Sequence, residues 1–381
     1  MRVMNSFIPI LLGVFVCASV SQAQSACRTP VREAGKCVPI TECSLHMDIL
    51  KNSPKPLPSD RRKYIMDSYC DVRNNVYIVC CAARHRISNG GGGTTTSVIM
   101  DPDDGSTDYS RHPSARLLSE SNCGKIPDDR ISFGNDTALA EFPWVVQLQY
   151  DTSEGLQARC GGTLISKRYV LTAAHCVTRI RDPVVSVRLG EHDTSKDPDC
   201  DEIECMPPVQ DIPIEEIKFH PQFNQPRFSN DIAVLRLRYD ADLTRDSIHP
   251  ICLPITKDLQ NTPLNRVVIA GWGLTEERKA AVIMQKATIA IVPNEDCQML
   301  YKRTTQITGA QLCAGGEKGV DSCKGDSGGP LFFTGSVKGI RYVQYGVVSA
   351  GIGECGDIES IPGVYARVSF YMKWILDQMR P

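Results

Sequence analysis

The sequence predicts a mostly β protein: a large all-β domain closed by one C-terminal helix, preceded by a small disulfide-held module. Three observations carry this. Short runs rich in Val, Ile, Leu and Tyr recur between turn residues from Cys123 onward. Of the 17 cysteines in the 381 residues, the sixteen after Cys17 fall into two groups. Between the groups lies a stretch of Gly, Ser, Thr, Asn, Asp and Pro with almost no apolar periodicity. A net charge of −2 excludes any global pull toward nucleic acid or an anionic membrane.

The first residues, "MRVMNSFIPILLGVFVCASVSQA", have a basic start, an apolar run and small residues at Ser21 and Ala23. They predict a signal peptide cut after Ala23, residues 1–23. The apolar run is short for a membrane anchor, and no later stretch is apolar enough to span a bilayer. Cys17 leaves with the signal, so sixteen cysteines remain, an even number in an oxidising compartment. They read as disulfides rather than metal ligands.

Cys27, Cys37, Cys43, Cys70, Cys80 and Cys81 crowd into residues 27–81. So short a segment cannot build a core that stands alone, and its cysteine pairing is open from spacing. Residues 82–122 predict a flexible linker. Gly90 to Gly93 within it are no phosphate loop, because no Lys-Ser/Thr follows. The strands expected next are "PWVVQLQY", "RYVLTAAHC", "DIAVLRLRY", "RVVIAGWG" and "YVQYGVVSAG". The final "SFYMKWILDQM" sets Phe370 and Trp374 one turn apart, with Ile375 and Met379 nearby. That predicts an amphipathic helix with Ser369 as its N-cap.

Three short stretches carry the chemistry. "TAAHC" contains His175, "NDIAVLRL" contains Asp231 and "CKGDSGGP" contains Ser327. Singly these are a surface imidazole, a turn carboxylate and a Gly-rich turn. Together they are a serine, a base to take its proton, and a carboxylate to orient the base. In this order and with these flanks, the chain from about 130 to 381 resembles the chymotrypsin-type serine proteases.

The resemblance implies a two-barrel chymotrypsin-like domain with its C-terminal helix over 131–381. It implies Ser327 as nucleophile, His175 as base and then acid, and Asp231 as orienting carboxylate. The amides of Gly325 and Ser327 would form the oxyanion hole, where a side chain at 325 would obstruct the turn. Asp321 would sit at the base of the primary pocket, with Gly351 and Gly363 keeping its walls open. An anionic floor selects a long cation, so cleavage after Arg or Lys is implied. Ala350 departs from the family's usual aromatic and puts the neighbouring subsites in doubt. Val267 and Phe333 stand where digestive trypsins have a cysteine pair, consistent with apolar packing.

A zymogen is also implied. Residues 123–130 are the activation segment, and cleavage after Arg130 would free an ammonium at Ile131 to pair with Asp326. Ser132-Phe133-Gly134 departs from the family's usual start. Asp128 and Asp129 would discourage self-cleavage, leaving the cut to an upstream protease. The family pairs would be Cys123–Cys252, Cys160–Cys176, Cys297–Cys313 and Cys323–Cys355, with Cys200–Cys205 left over.

With this domain behind it, the six-cysteine module resembles a clip domain, and the whole chain resembles the arthropod clip-domain serine proteases. That implies Cys27–Cys80, Cys37–Cys70 and Cys43–Cys81. Arg61-Arg62-Lys63 read as a solvated basic run rather than a docking site. In "GEHDTSKDPDCDEIEC" the resemblance implies one structural calcium on Glu191, Asp193, Asp199 and the Lys196 carbonyl, since hard cations take several oxygens from a flexible loop. No cofactor is expected for the chemistry. Asn135 begins a glycosylation sequon.

The function implied is a secreted haemolymph endopeptidase in an innate-immune cascade, such as prophenoloxidase activation or Toll signalling. Its partners would be protein substrates, the activating protease, serpins and non-catalytic homologues. A digestive trypsin needs neither module nor linker, and a non-catalytic scaffold would have lost Ser327.

Overall fold

The computed structural model describes residues 26–52, 61, 64–65, 67–73, 76–85, 107–118, 122–126, 136–178, 181–201, 204–274, 279–316, 325–351 and 361–381. The expected signal peptide, Gly90 to Gly93, Arg62 and Lys63 lie outside them. The chain divides into two compact units, Met1–Ile99 and Met100–Pro381. Among the described residues, no helix is long and apolar enough to cross a membrane.

The first unit is a four-stranded antiparallel sheet with the order β1–β2–β4–β3. The strands are β1 (Ala26–Arg28), β2 (Ala34–Pro39), β3 (Tyr69–Arg73) and β4 (Val76–Ala82), with helix α1 (Ser44–Asn52) between β2 and β3. Its buried cluster is Val38, Val79 and two half-cystines, Cys43 and Cys81. With so little hydrocarbon to bury, the unit depends on three disulfides, Cys27–Cys80, Cys37–Cys70 and Cys43–Cys81. Losing one bridge from a domain of this size typically costs about 2–5 kcal/mol.

The second unit holds two closed antiparallel barrels of six strands each. The first runs in the order β10–β7–β6–β5–β8–β9. Its strands are β5 (Val145–Thr152), β6 (Gly155–Ser166), β7 (Tyr169–Thr172), β8 (Val184–Leu189), β9 (Gln210–Phe219) and β10 (Ala233–Leu237). The second runs β11–β12–β13–β16–β15–β14. It comprises β11 (Arg266–Gly271), β12 (Gln285–Val292), β13 (Gln311–Ala314), β14 (Pro330–Ser336), β15 (Ile340–Ala350) and β16 (Gly363–Arg367). Among the described residues the unit also holds the helices α2 (Ala174–Val177), α3 (Lys257–Gln260), α4 (Asn294–Tyr301) and α5 (Val368–Gln378).

Phe142 and Trp144, just before β5, pack edge-on or tilted against Phe332 and Tyr342 of β14 and β15, with ring centroids 5.0–5.8 Å apart. Such pairs add about 1 kcal/mol each beyond the area they bury. They weld one barrel to the other. Val267 is fully buried and Phe333 half-buried in one second-barrel cluster. The disulfides described here are Cys123–Cys252, Cys160–Cys176, Cys200–Cys205 and Cys297–Cys313. Cys323 and Cys355 lie outside the described residues.

Two expectations need correction. Helix α5 starts at Val368 with Arg367 as a cap that offers no side-chain bond, so Ser369 is inside the helix. Its buried face is Val368, Tyr371, Met372, Ile375 and Leu376, while Phe370 is exposed. Periodicity allowed either face. Packing of Tyr371 against His220, with centroids at 5.6 Å, picks this one.

The second correction concerns the linker. Residues 107–118 are ordered on the barrels, around the 3-10 turn Pro113–Leu117. Leu118 is buried in the main core and Tyr109 and Leu117 pack against it. The Tyr109 amide donates to the Ile255 carbonyl at 2.8 Å, and the Gln260 side chain to the Thr107 carbonyl at 2.9 Å. His112 Nε2 lies 3.1 Å from Asp377 Oδ1, and Ser114 Oγ donates to the Met379 carbonyl at 2.9 Å. A handful of apolar residues in a polar stretch has no periodicity to betray it, so composition alone hides this strap.

Candidate active site

His175 lies in the single turn of α2, directly after β7, and the Cys160–Cys176 bond staples that turn to β6. Both sulfurs beside His175 are joined to each other and offer no thiolate to a metal. Asp231 precedes β10 and is 3% exposed. Its Oδ2 is 2.7 Å from His175 Nδ1, and its Oδ1 accepts the His175 amide at 2.9 Å. A third donor, Ser349 Oγ on β15, reaches Oδ2 at 2.5 Å. Three donors thus satisfy the buried carboxylate. Because Nδ1 gives its hydrogen to Asp231, Nε2 is left as the basic nitrogen.

The residue before Asp231, Asn230, has φ of +57°, a conformation that asparagine tolerates better than most side chains. Its Oδ1 accepts from the Tyr371 hydroxyl at 3.1 Å and its Nδ2 donates to the Gln222 carbonyl at 3.0 Å. Burial pushes the Tyr371 phenol far up, so it remains a donor. Asp231 is thus aimed by a loop anchored to α5.

Ser327 sits on a turn held by both barrels. The Gly161 amide of β6 donates to the Ser327 carbonyl at 2.8 Å, and the Gly328 amide to the Val348 carbonyl of β15 at 2.8 Å. The glycines are required sterically. Gly328 has φ of +80°, and a Cβ there would lie 2.2 Å from Thr172 Oγ1. Gly325 has φ of +108°, and a Cβ would lie 2.9 Å from the Gly273 Cα. The turn therefore abuts the end of β7, where His175 begins. Hydrogen bonds link Ser349, Asp231 and His175; among the described residues none continues from His175 Nε2 to Ser327 Oγ. Catalytic bonds are often looser before substrate is present.

Asp326 Oδ1 accepts the Gly273 amide at 2.9 Å. A Cβ on Gly271 would be 2.4 Å from Asp326 Oδ1, and one on Gly273 2.2 Å from Oδ2. Sequence reasoning used this Gly-Trp-Gly only to end a strand and passed over Ser349. A glycine flanking a strand as the mark of close backbone approach was the available signal for the first. Nothing local signals the second.

Gly351 is open, with no atom within 4 Å of where a Cβ would stand, and Gly363 is buried in β16. Asp321, Asp128, Asp129, Arg130, Ile131 and Asn135 lie outside the described residues.

In the acidic loop, Glu191 and Asp199 are buried. Burial, then the Asp199 charge, pushes the Glu191 carboxyl up to about 7. Asp199 accepts the amides of His192 at 2.8 Å and Asp193 at 3.0 Å. Arg188 Nη1, 3.4 Å from Glu191, is shared with Asp211. Two buried carboxylates with one distant, shared cation suit a hard divalent ion. Asp193 differs from the expectation. Its carboxylate is engaged by Ser195 Oγ at 2.6 Å and Lys196 Nζ at 2.9 Å, which pull its pKa down to about 2. It would have to release both to bind a metal.

A model of the trypsin family, "Trypsin", matches residues 131–375, and "Regulatory CLIP domain of proteinases" matches 27–81. Melanization protease 1 of Drosophila melanogaster is 36% identical over 98% of each chain. CLIP domain-containing serine protease B10 of Anopheles gambiae is 37% identical over 97% of this chain and 98% of its own. The crystal structure of the Drosophila Grass clip serine protease of the Toll pathway superposes with a TM-score of 0.62 at 31% identity. That alignment covers 93% of this chain and 97% of the other. With two six-stranded barrels, a disulfide-held N-terminal sheet and these relatives, the chain belongs to the trypsin family, among the clip-domain serine proteases.

Proposed function

We propose that this protein is a secreted zymogen, cleaved after Arg130 to an endopeptidase that cuts proteins after Arg or Lys. One observation carries the catalytic reading: a buried Asp231 holds His175 Nδ1 at 2.7 Å while the Ser327 turn is pinned beside the same strand end. Ser327 Oγ adds to the scissile carbonyl as His175 Nε2 takes its proton. Asp231 steadies the imidazolium. The amides of Gly325 and Ser327 meet the oxyanion, each such donor being worth about 2.7–4 kcal/mol in the transition state. His175 then gives the proton to the departing amine, and water repeats the sequence on the acyl-enzyme.

Asp321 supplies the anionic pocket floor in this reading, and the Ile131 ammonium the partner for Asp326. The names of the relatives support a place in an insect melanization or Toll cascade. An upstream protease, protein substrates and serpins are the corresponding partners. Seven disulfides among the described residues support an extracellular home. Calcium would be held by Glu191 and Asp199, with the Lys196 carbonyl and a released Asp193. It neutralises buried charge and takes no part in the chemistry. Chelation should lower the unfolding temperature, and Glu191→Gln should abolish that response.

The test is to cleave at Arg130 with an added protease and assay an arginyl amide. Turnover is expected, with Ser327→Ala lowering kcat roughly a million-fold. A cleaved protein inert to arginyl and lysyl amides and to serine-trapping reagents would overturn the reading.

A further inference from the structure

His192 joins four segments that are distant in sequence. Its amide donates to Asp199 Oδ2 at 2.8 Å and Glu191 Oε1 at 3.1 Å. Its carbonyl accepts the Trp272 indole Nε1 at 3.1 Å and the Met284 amide at 2.9 Å. Its ring Nε2 donates to the Thr137 carbonyl at 2.9 Å. Thr137 in turn donates from its amide and hydroxyl to the Met284 carbonyl, at 2.9 and 3.0 Å.

Each end of this network matters to the site. Thr137 lies shortly after the Arg130–Ile131 bond, in the segment that must settle once a new amino terminus exists. Trp272 lies between the two glycines that receive Asp326, and Gly273 donates to that carboxylate at 2.9 Å. The Gly273 Cα also backs Gly325, the oxyanion glycine. Thr137, the His192 ring, its carbonyl, Trp272 and Gly273 therefore form a continuous path from Thr137 to the turn that carries Gly325.

We infer that His192 is a positioning residue that couples the settled N-terminal segment to the oxyanion turn. This deepens the protease reading and rests on it. The backbone bonds of His192 survive any side-chain substitution, so changing the ring removes the Thr137 link alone. Without the link, more of the cleaved protein should occupy a state in which the N-terminal segment is unseated. Ligands of the primary pocket bind only the seated state and should draw the population back.

The experiment compares the parent, His192→Ala, His192→Asn and His192→Gln after cleavage at Arg130. The Gln side chain places an amide donor near the position of Nε2; the Asn side chain is too short to reach Thr137. In the Ala and Asn variants, KM for an arginyl amide and Ki for benzamidine should rise by one common factor, about fivefold for a lost neutral hydrogen bond. kcat at saturation should stay near that of the parent. Cyanate should carbamylate the Ile131 amino group faster by a similar factor, and benzamidine should suppress the excess. His192→Gln should restore parental values. Parental KM, Ki and carbamylation in the Ala and Asn variants would overturn the inference, as would an equal defect in the Gln variant. An inert parent enzyme would sink the protease reading. The cyanate comparison needs no turnover, so it judges the coupling separately.

Discussion

Ser349 Oγ donates to Asp231 Oδ2 at 2.5 Å, to the same oxygen that faces His175 Nδ1. The two barrels meet in this contact, since Ser349 lies on β15 and Asp231 leads into β10. A hydrogen bond to a charged group is worth about 1.5–3 kcal/mol. Ser349→Ala should therefore lower kcat about tenfold or more, with KM little changed. Steady-state kinetics of the cleaved enzyme would check this, and an unaltered kcat would count against a role for the hydroxyl.

Gly273→Ala should disable the enzyme without unfolding it. The added Cβ would stand 2.2 Å from Asp326 Oδ2 and 2.5 Å from Cγ, so the carboxylate must leave. In the proposed mechanism that carboxylate buttresses the oxyanion turn, and one lost oxyanion donor alone lowers kcat about a hundredfold or more. Gly309→Ala is the control, because nothing lies within 4 Å of its Cβ position and its φ is ordinary. Turnover and thermal unfolding of both variants would show whether the loss is local.

The strap at 107–118 predicts a second tie between the two chains of the cleaved protein. A Cys123→Ser, Cys252→Ser double variant should keep its N-terminal chain on gel filtration after cleavage at Arg130. Adding Leu118→Ala should cost about 3 kcal/mol of packing and release that chain. Dissociation of the double variant on its own would refute the tie.

Two half-buried imidazoles should weaken the barrels on acidification, in a range where Glu191, held at about 7, acts in the opposite sense and equally in parent and variant. Burial lowers the pKa of both His220 and His249 from 6.5. The unfolded chain then takes up protons first, so stability is whole above pH 6.5 and is lost as pH falls from there through the folded values. His220→Phe keeps a ring against Tyr371 and Trp374, whose centroids are 5.6 and 5.3 Å away. It should flatten the fall in unfolding temperature between about pH 6.5 and 5.5, and an unchanged slope would argue against this imidazole.

The legible parts of the site were those written in short stretches. His175, Asp231 and Ser327 each sit in a local motif, because a strand end, a loop and a Gly-rich turn each set one backbone conformation. The strands around them were legible for the same reason. Ser349, Gly273 and His192 were not, since each acts through a partner far along the chain. The exposed Phe370 and the uncapped start of α5 were misjudged because periodicity offers two faces and only a neighbour such as His220 chooses.

By itself the sequence marked a signal-like apolar start, two cysteine-bearing units of unequal size and three candidate catalytic side chains in a fixed order. Those depend on residue type and near neighbours, which a linear text records. Tertiary structure alone decided that Ser349 completes the Asp231 shell, that residues 107–118 pack rather than trail, and that His192 bridges Thr137 to Trp272. Each depends on which atoms two closed barrels bring within hydrogen-bond reach, and barrel closure pairs segments whose separation along the chain carries no local mark.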